Sequence, residues 1–181
     1  MTNSPPKRLY SGRFLNLESR GGWEFAARAH PLVVVLVAWT DAGQLVLVEQ
    51  YRPPIDSRAI ELPAGLVGDL EGQAEEDPLA AAGRELEEET GFRAATLQPL
   101  MTCPTSAGMS NEQALFVRAS GLVSTGPGGG DDSEDITVHC IEGHRIDQWL
   151  HDCRQRGLAV DPKIFTALYW SRPGGPSDPR A

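Results

Sequence analysis

Long apolar runs are absent from this chain of 181 residues. The longest, Leu32 to Trp39, has the length of a strand and falls well short of the roughly 20 residues that cross a bilayer, which excludes a helical membrane protein. The stretch MTNSPPKRLY at the start lacks the apolar core of a secretion signal, so a cytoplasmic protein is expected. Cysteine is scarce: Cys103, Cys140 and Cys153 cannot all pair, none sits in a CxxC, and no disulfide framework is expected. Clusters of lysine and arginine are also missing, and the net charge of −9 argues against docking on a nucleic-acid backbone. His30, His139, His144 and His151 show no zinc spacing, and neither Ser106 nor Ser110 lies in a G-x-S-x-G elbow, which argues against a zinc site and against a serine hydrolase. If such an acidic chain handles a polyanion, a cation has to mediate, and a divalent metal would serve.

What the chain does contain is an ordinary globular composition, 40% hydrophobic and 23% charged, without internal repeats. Residues 1–170 are read as one domain and 171–181 as a disordered tail rich in proline and glycine. Residues 8–18 and 23–29 have the mixed pattern of two edge strands around Gly21-Gly22. Leu32–Trp39 and Gln44–Gln50 read as a buried hairpin turning at Asp41-Ala42-Gly43. A short strand near Ala59–Leu62 is broken by Pro63-Ala64-Gly65, and an acidic, glycine-containing loop runs on to Glu76. Asp77 as cap, Pro78 in the first turn and Gly91 just past the end delimit a helix. Strands follow at Thr96–Cys103 and Ala114–Ala119. Gly126–Gly130 reads as a mobile loop tip leading into the acidic run Asp131–Asp135 and a strand at Ile136–Ile141. Helices are expected at about 145–156 and from Asp161-Pro162 to about Trp170.

The most informative segment is Gly83-Arg84-Glu85-Leu86-Glu87-Glu88-Glu89-Thr90-Gly91-Phe92. On a helix, Glu85 lies three residues before Glu88 and four before Glu89, so these carboxylates share a face and repel one another. A divalent cation reverses the sign of that interaction, and Mg²⁺ favours hard oxygen ligands that leave room for water and phosphate. Arg84, four residues before Glu88, can hold it in place, while Glu87 points elsewhere. An acidic face turned to solvent would have the same composition, so the wider context has to decide.

That context resembles the Nudix hydrolase family, whose box reads G-x5-E-x7-R-E-U-x-E-E-x-G-U with U apolar. Arg84 to Phe92 fills the second half, and Glu76 meets the E-x7-R spacing. Ten residues separate Gly65 from Glu76 instead of five, which places an insertion of five residues in the loop ahead of the helix. Glu49-Gln50-Tyr51-Arg52-Pro53 and Glu61-Leu62-Pro63-Ala64-Gly65 are similar to the ADP-ribose pyrophosphatase branch and its nucleotide-sugar relatives. The resemblance implies an α/β/α sandwich with a mixed sheet, its N-terminal strands (about 1–30) exchanged in a homodimer. It implies metal ligation by the Ala64 carbonyl, Glu85 and Glu89, with Glu88 bridging, and substrate contact by Arg52, to which Arg58 is added. Gly22-Trp23-Glu24 resembles a strand whose Trp stacks on the nucleobase. Thr105 to Glu112 resembles the S-P-G-x-S-x-E loop, with Ala107 where members preferring ADP-ribose carry proline, and gives Glu112 a substrate or metal role.

The implied reaction is attack of water on one phosphorus of a diphosphate, yielding a nucleoside monophosphate and a sugar phosphate, with Mg²⁺ or Mn²⁺ as cofactor. Glu134, just before a late strand, matches the family's base, with Arg84, Glu85 and Glu88 completing the catalytic set. Glu112 or a box glutamate is next in line. Mobility of the glycine-rich loop would let Glu134 swing in on binding. A nucleotide sugar such as ADP-ribose is the expected partner, with no nucleic acid and no membrane. The alternatives are GDP-mannose, a dinucleotide polyphosphate, an oxidised nucleotide, or a non-catalytic ADP-ribose sensor.

Overall fold

The computed structural model describes residues 4–68, 75–130 and 134–171. The N-terminal segment forms three strands, β1 (Lys7–Ser11), β2 (Asn16–Arg20) and β3 (Trp23–Ala27), in an antiparallel sheet. The first of the two expected strands is divided by a turn closed from the Gly12 amide to the Leu15 carbonyl at 2.8 Å.

Two mixed four-stranded sheets follow. One has the order β7 (Ala64–Leu66), β4 (Leu32–Ala38), β9 (Gln113–Ser124), β8 (Phe92–Pro104), with β4 and β9 parallel. The other has the order β10 (Thr137–Glu142), β5 (Gln44–Arg52), β6 (Ser57–Glu61), β11 (Ala159–Val160), with β6 and β11 parallel. The expected hairpin of β4 and β5 is therefore corrected. The turn forms, with the Gly43 amide on the Thr40 carbonyl at 2.9 Å, but after one bridge between Trp39 and Leu45 the strands part into different sheets. The physical reason lies in their continuous apolar runs, which leave both strands buried on both faces. The strand β6 does end at Glu61, just ahead of Pro63 as expected, and Ala64–Leu66 then forms β7 against β4 in the other sheet.

Alternate residues of β4 point to two cores. Val35 and Val37 pack with Leu45, Leu47 and Ile60 beneath α2 (Ile146–Gln155) and α3 (Lys163–Ser171). Val34, Leu36 and Ala38 pack with Val46 and Val117 beneath Ala81, Ala82 and Leu86 of α1 (Pro78–Thr90). Helices thus cover both faces of the strand layer, and each large side chain so buried is worth about 1.5–3 kcal/mol. No described helix is long and apolar enough to cross a membrane.

Helix α1 starts and stops at its sequence signals: the Asp77 side chain accepts from the Leu79 amide at 2.8 Å, and Gly91 ends it at φ 68°. Its last turn carries Glu87, Glu88 and Glu89 and no basic residue. That is the wrong end of the helix dipole for negative charge. The glycine-rich loop supplies part of the compensation. The Gly130 amide donates to the Glu88 carbonyl at 3.0 Å and the Gly129 amide to the Glu89 carbonyl at 2.9 Å. Gly126–Gly130 is therefore no free tip in this structure, its backbone being held on the end of α1. At Gly128 backbone lies against backbone: a Cβ there, at φ 67°, would stand 2.4 Å from the Thr90 carbonyl carbon and 2.6 Å from the Glu89 oxygen.

Gly128→Ala is expected to cost at least about 1–2 kcal/mol, from strained backbone and a displaced loop. Gly126→Ala, with nothing within 4 Å of the added methyl, stays within about 0.5 kcal/mol of the parent. Denaturant midpoints of the two variants check this, and equal losses would contradict it.

Candidate active site

Helix α1 sets Glu85 and Glu89 against β7, with Glu89 on the buried side of the helix beside Ala82 and Leu86. Glu89 is only 3% exposed, and its Oε2 accepts from the Ala64 amide at 3.0 Å. Glu85 lies directly over Gly65, where an added Cβ would fall 1.9 Å from the carboxyl carbon. The glycine of the P-A-G turn thus makes the hollow that the Glu85 carboxylate fills. Glu88 is half exposed and bonds Arg84 at 3.1 Å.

Arg84 is the local cation. It reaches Glu85 at 2.8 Å as well as Glu88, and its far side is held by Glu76 at 3.3 Å. Glu76 also accepts from the Gly68 amide at 3.1 Å. Partial burial works against the charge on Arg84, but the carboxylates around it more than compensate and keep it protonated. Glu87 points away from this cluster, as expected, and pairs with Arg93 at 2.7 Å on the outer side of the helix.

Among the described residues Glu89 has no ion-pair partner. Its carboxyl is pushed up to about 8, by burial above all and by the nearby Glu85 and Glu134, with the Ala64 amide and Arg52 offsetting part of the rise. A buried acid kept protonated by neighbouring carboxylates is a place where a divalent cation gains most. Among the described residues, no three His, Cys, Asp or Glu side chains enclose an ion by themselves. The oxygen donors that fit one are Glu85, Glu89 and a backbone carbonyl of the P-A-G turn, with water for the rest.

Beside this cluster lies a cavity of about 360 Å³, walled by Arg28, Arg52, Glu61, Ala64, Gly65, Glu112 and Lys163 among others. Arg52 grips Glu61 with two hydrogen bonds, at 2.9 and 2.6 Å, and Arg28 faces Glu112 at 3.8 Å. A second groove, lined by Trp23, Phe25, Ala107 and Gly108, adjoins through Ser110 and Asn111. The loop from Thr105 to Glu112 is stitched to β3: the Asn111 side chain bonds both the amide and the carbonyl of Arg28, at 3.1 and 3.2 Å. Trp23 is 66% exposed, its ring beside Gly108.

Glu134 folds against Gly130, where a Cβ would come 2.3 Å from its Oε2, on the loop that caps α1. Arg58 does not line the cavity. It bonds Glu49 at 2.7 Å and Asp135 at 2.8 Å. Of the expected residues, Arg52, Glu112 and Ala64 meet at the cavity, Glu85 and Glu89 flank Ala64 and Gly65, and Trp23 faces the adjoining groove. Sequence reasoning missed Arg28, Glu61, Asp161 and Lys163. The alternation of β3 and the carboxylate of E-L-P-A-G were signals for the first two. Lys163 and Asp161 left none, because Asp161-Pro162 reads only as a helix start.

The NUDIX domain model matches residues 29–142. The chain belongs to the Nudix family. A Nudix hydrolase acts on pyrophosphate bonds, and the family generally uses divalent metal. The chain is 38% identical over 140 residues to a methanol dehydrogenase activator of Bacillus methanolicus, covering 77% of this chain and 72% of that protein. It is 40% identical over 106 residues to an ADP-ribose pyrophosphatase of Mycobacterium tuberculosis, covering 58% of this chain and 49% of the relative. A Bacillus subtilis ADP-ribose pyrophosphatase is 39% identical over 83 residues, covering 46% of this chain and 42% of its own length. The chain thus spans about half of the ADP-ribose pyrophosphatases it matches. A crystal structure of an ADP compounds hydrolase shares the fold, with a TM-score of 0.69 at 21% identity over 91% of this chain and 88% of that one.

In this Nudix fold the sign of the Glu89 effect is testable. Its carboxyl holds a proton up to about 8, against 4.5 ordinarily, so the native state binds more protons than the unfolded chain in that window. The contribution is fully present below 4.5 and is lost progressively as pH rises through about 8. Thermal melts without metal should therefore show a fall in Tm over this window that Glu89→Gln lacks. Mg²⁺, which favours the carboxylate, should restore the loss. Parallel profiles for both proteins would contradict the placement.

Proposed function

We propose that the chain hydrolyses the diphosphate of ADP-ribose or a related nucleoside diphosphate sugar, giving a nucleoside monophosphate and a sugar phosphate. The observation that supports this reading best is the adjacency of the buried Glu85–Glu89 pair to a polar cavity that continues toward an exposed Trp. Mg²⁺ held by Glu85, Glu89 and the Ala64 carbonyl, with Glu88 nearby, would neutralise the diphosphate and acidify its water, and Mn²⁺ would substitute. Arg84 keeps Glu85 and Glu88 in place. Arg52, already forked onto Glu61, presents its remaining donors to phosphate or ribose oxygens. Glu112 accepts from sugar hydroxyls across the cavity, and Trp23 offers a face for a base to stack on. Glu134 accepts the proton of the attacking water as the sugar phosphate departs.

Partial identity with proteins named ADP-ribose pyrophosphatase favours this substrate class over GDP-mannose, dinucleotide polyphosphates or oxidised nucleotides. Ala107 at the groove, where proline is the rule for ADP-ribose preference, leaves more room beside Trp23 and suits a broader choice among nucleotide sugars. With purified protein and Mg²⁺, a panel of these compounds is expected to give highest kcat/KM on a nucleoside diphosphate sugar. Glu89→Gln is expected to lower kcat by roughly a hundredfold or more, since even outer partners of metal ligands are worth about 10- to 100-fold. Turnover unaffected by Glu89→Gln would contradict the metal role given to Glu89, and none in the parent would contradict the enzyme reading and favour a sensor.

A homodimer belongs to the same proposal. Leu9, Tyr10, Phe14, Leu15 and Leu17 stand exposed together on the N-terminal strands, an apolar surface that a second copy would cover. Light scattering is expected to give twice the 19.6 kDa chain mass, and Tyr10→Asp with Phe14→Asp to halve it. A monomeric parent would contradict this.

A further inference from the structure

Arg58 was expected on the substrate, yet all the contacts described for it lead elsewhere. It sits on β6 opposite Tyr51, one step diagonally from Glu49 on the neighbouring strand β5. Its Nε bonds Glu49 Oε1 at 2.7 Å, and Nη2 reaches the Glu49 carbonyl at 3.3 Å. The other Glu49 oxygen, Oε2, is 3.1 Å from His139 Nε2 on β10, and the His139 ring packs at 5.0 Å against Trp149 of α2. The guanidinium is therefore seated on Glu49, which His139 and Trp149 back in turn. From that seat Nη1 bonds the Asp135 carboxylate at 2.8 Å and Nη2 the Asp135 backbone carbonyl at 3.3 Å.

Asp135 directly follows Glu134. It is 82% exposed at its side chain, so the pair adds little to stability. Its value is geometric, because two contacts, one to side chain and one to main chain, fix the position and direction of that peptide. On the other side Glu134 rests against Gly130, whose amide is tied to the Glu88 carbonyl of α1. The following residue, Ile136, is buried.

From this arrangement we propose that Arg58 is a positioning residue, a latch that holds residues 134–136 so that Glu134 stays in register with the carboxylate face of α1. This rests on the reading of Glu134 as the base and assigns Arg58 no contact with substrate. Glu49, in the Glu49-Gln50-Tyr51-Arg52 motif, is then the seat of the latch. Exclusion from the cavity explains why Arg58 and Arg52, six residues apart around one β-turn, serve different ends: Arg52 grips Glu61 at the cavity wall, while Arg58 turns to the loop.

The test is steady-state kinetics of Arg58→Ala, Arg58→Lys, Asp135→Asn, Glu134→Gln and the Arg58→Ala/Glu134→Gln double variant, on the nucleotide sugar that the parent hydrolyses best. Arg58→Ala is expected to lower kcat by roughly tenfold to a hundredfold, the scale on which a small misplacement of a reacting group acts. KM should stay within about twofold, because binding is untouched. Asp135→Asn should fall in the same direction by less, and Arg58→Lys should recover part of the loss. In the Glu134→Gln background Arg58→Ala should add nothing. Asp135→Asn, at an exposed side chain, keeps the test valid if Arg58→Ala folds poorly. A raised KM with kcat preserved, or losses that multiply in the double variant, would overturn the latch and leave the base reading standing. A Glu134→Gln protein with the parent's kcat would overturn both.

Discussion

The arrangement depends on burying an acid at the end of a helix that does not welcome it. Glu89 sits on the last turn of α1, where the backbone carbonyls already concentrate negative potential, and it is sealed between β7 and the loop bearing Glu134. Three structural features make that placement tolerable. Arg84 carries the charge of Glu85 and Glu88, the amides of Ala64, Gly129 and Gly130 satisfy oxygen atoms around the turn, and Gly65 and Gly128 leave room for groups that any side chain would displace. None of them neutralises Glu89 itself. The protein leaves one buried acid without a counter-charge, and in the proposed reading a divalent ion would supply it and add electrophilic charge for a diphosphate.

The same constraint explains the supporting scaffold. The two β-sheets part after Trp39 so that helices can cover both faces, and this puts α1 across β7 with its polar side toward the cavity. The N-terminal sheet is attached through Asn111 and Arg28, which brings the Trp23 groove to the cavity rim. Charge around the rim is paired, Arg52 with Glu61 and Arg28 with Glu112, so that a net-acidic protein offers a polar ligand both donors and acceptors without a uniformly repulsive wall.

Much of the helix and its chemistry was legible in the residues alone. Asp77, Pro78 and Gly91 delimit α1 through local backbone chemistry, and the spacing of Glu85, Glu88 and Glu89 places them on one face. What depends on partners distant in sequence was not legible. The split of β4 and β5 into two sheets follows from where the apolar faces find cover, and an all-apolar run carries no record of that. Gly126–Gly130 has the composition of a free loop, but Gly128 lies in close contact with Thr90 and Glu89. Arg58 could be read only as one more cation near a motif, because Asp135 lies 77 positions away. Repulsion among the box glutamates was also overstated, since Arg84 and Arg93 already balance all but Glu89.

The claim on which all of this turns is that the pocket between α1 and β7 is where an ion binds. The direct measurement is anomalous diffraction from a crystal of the full chain soaked in Mn²⁺. The account predicts density between the Glu85 and Glu89 carboxylates beside the carbonyl of Ala64. Anomalous density confined to other surfaces, or none at saturating Mn²⁺, would contradict it.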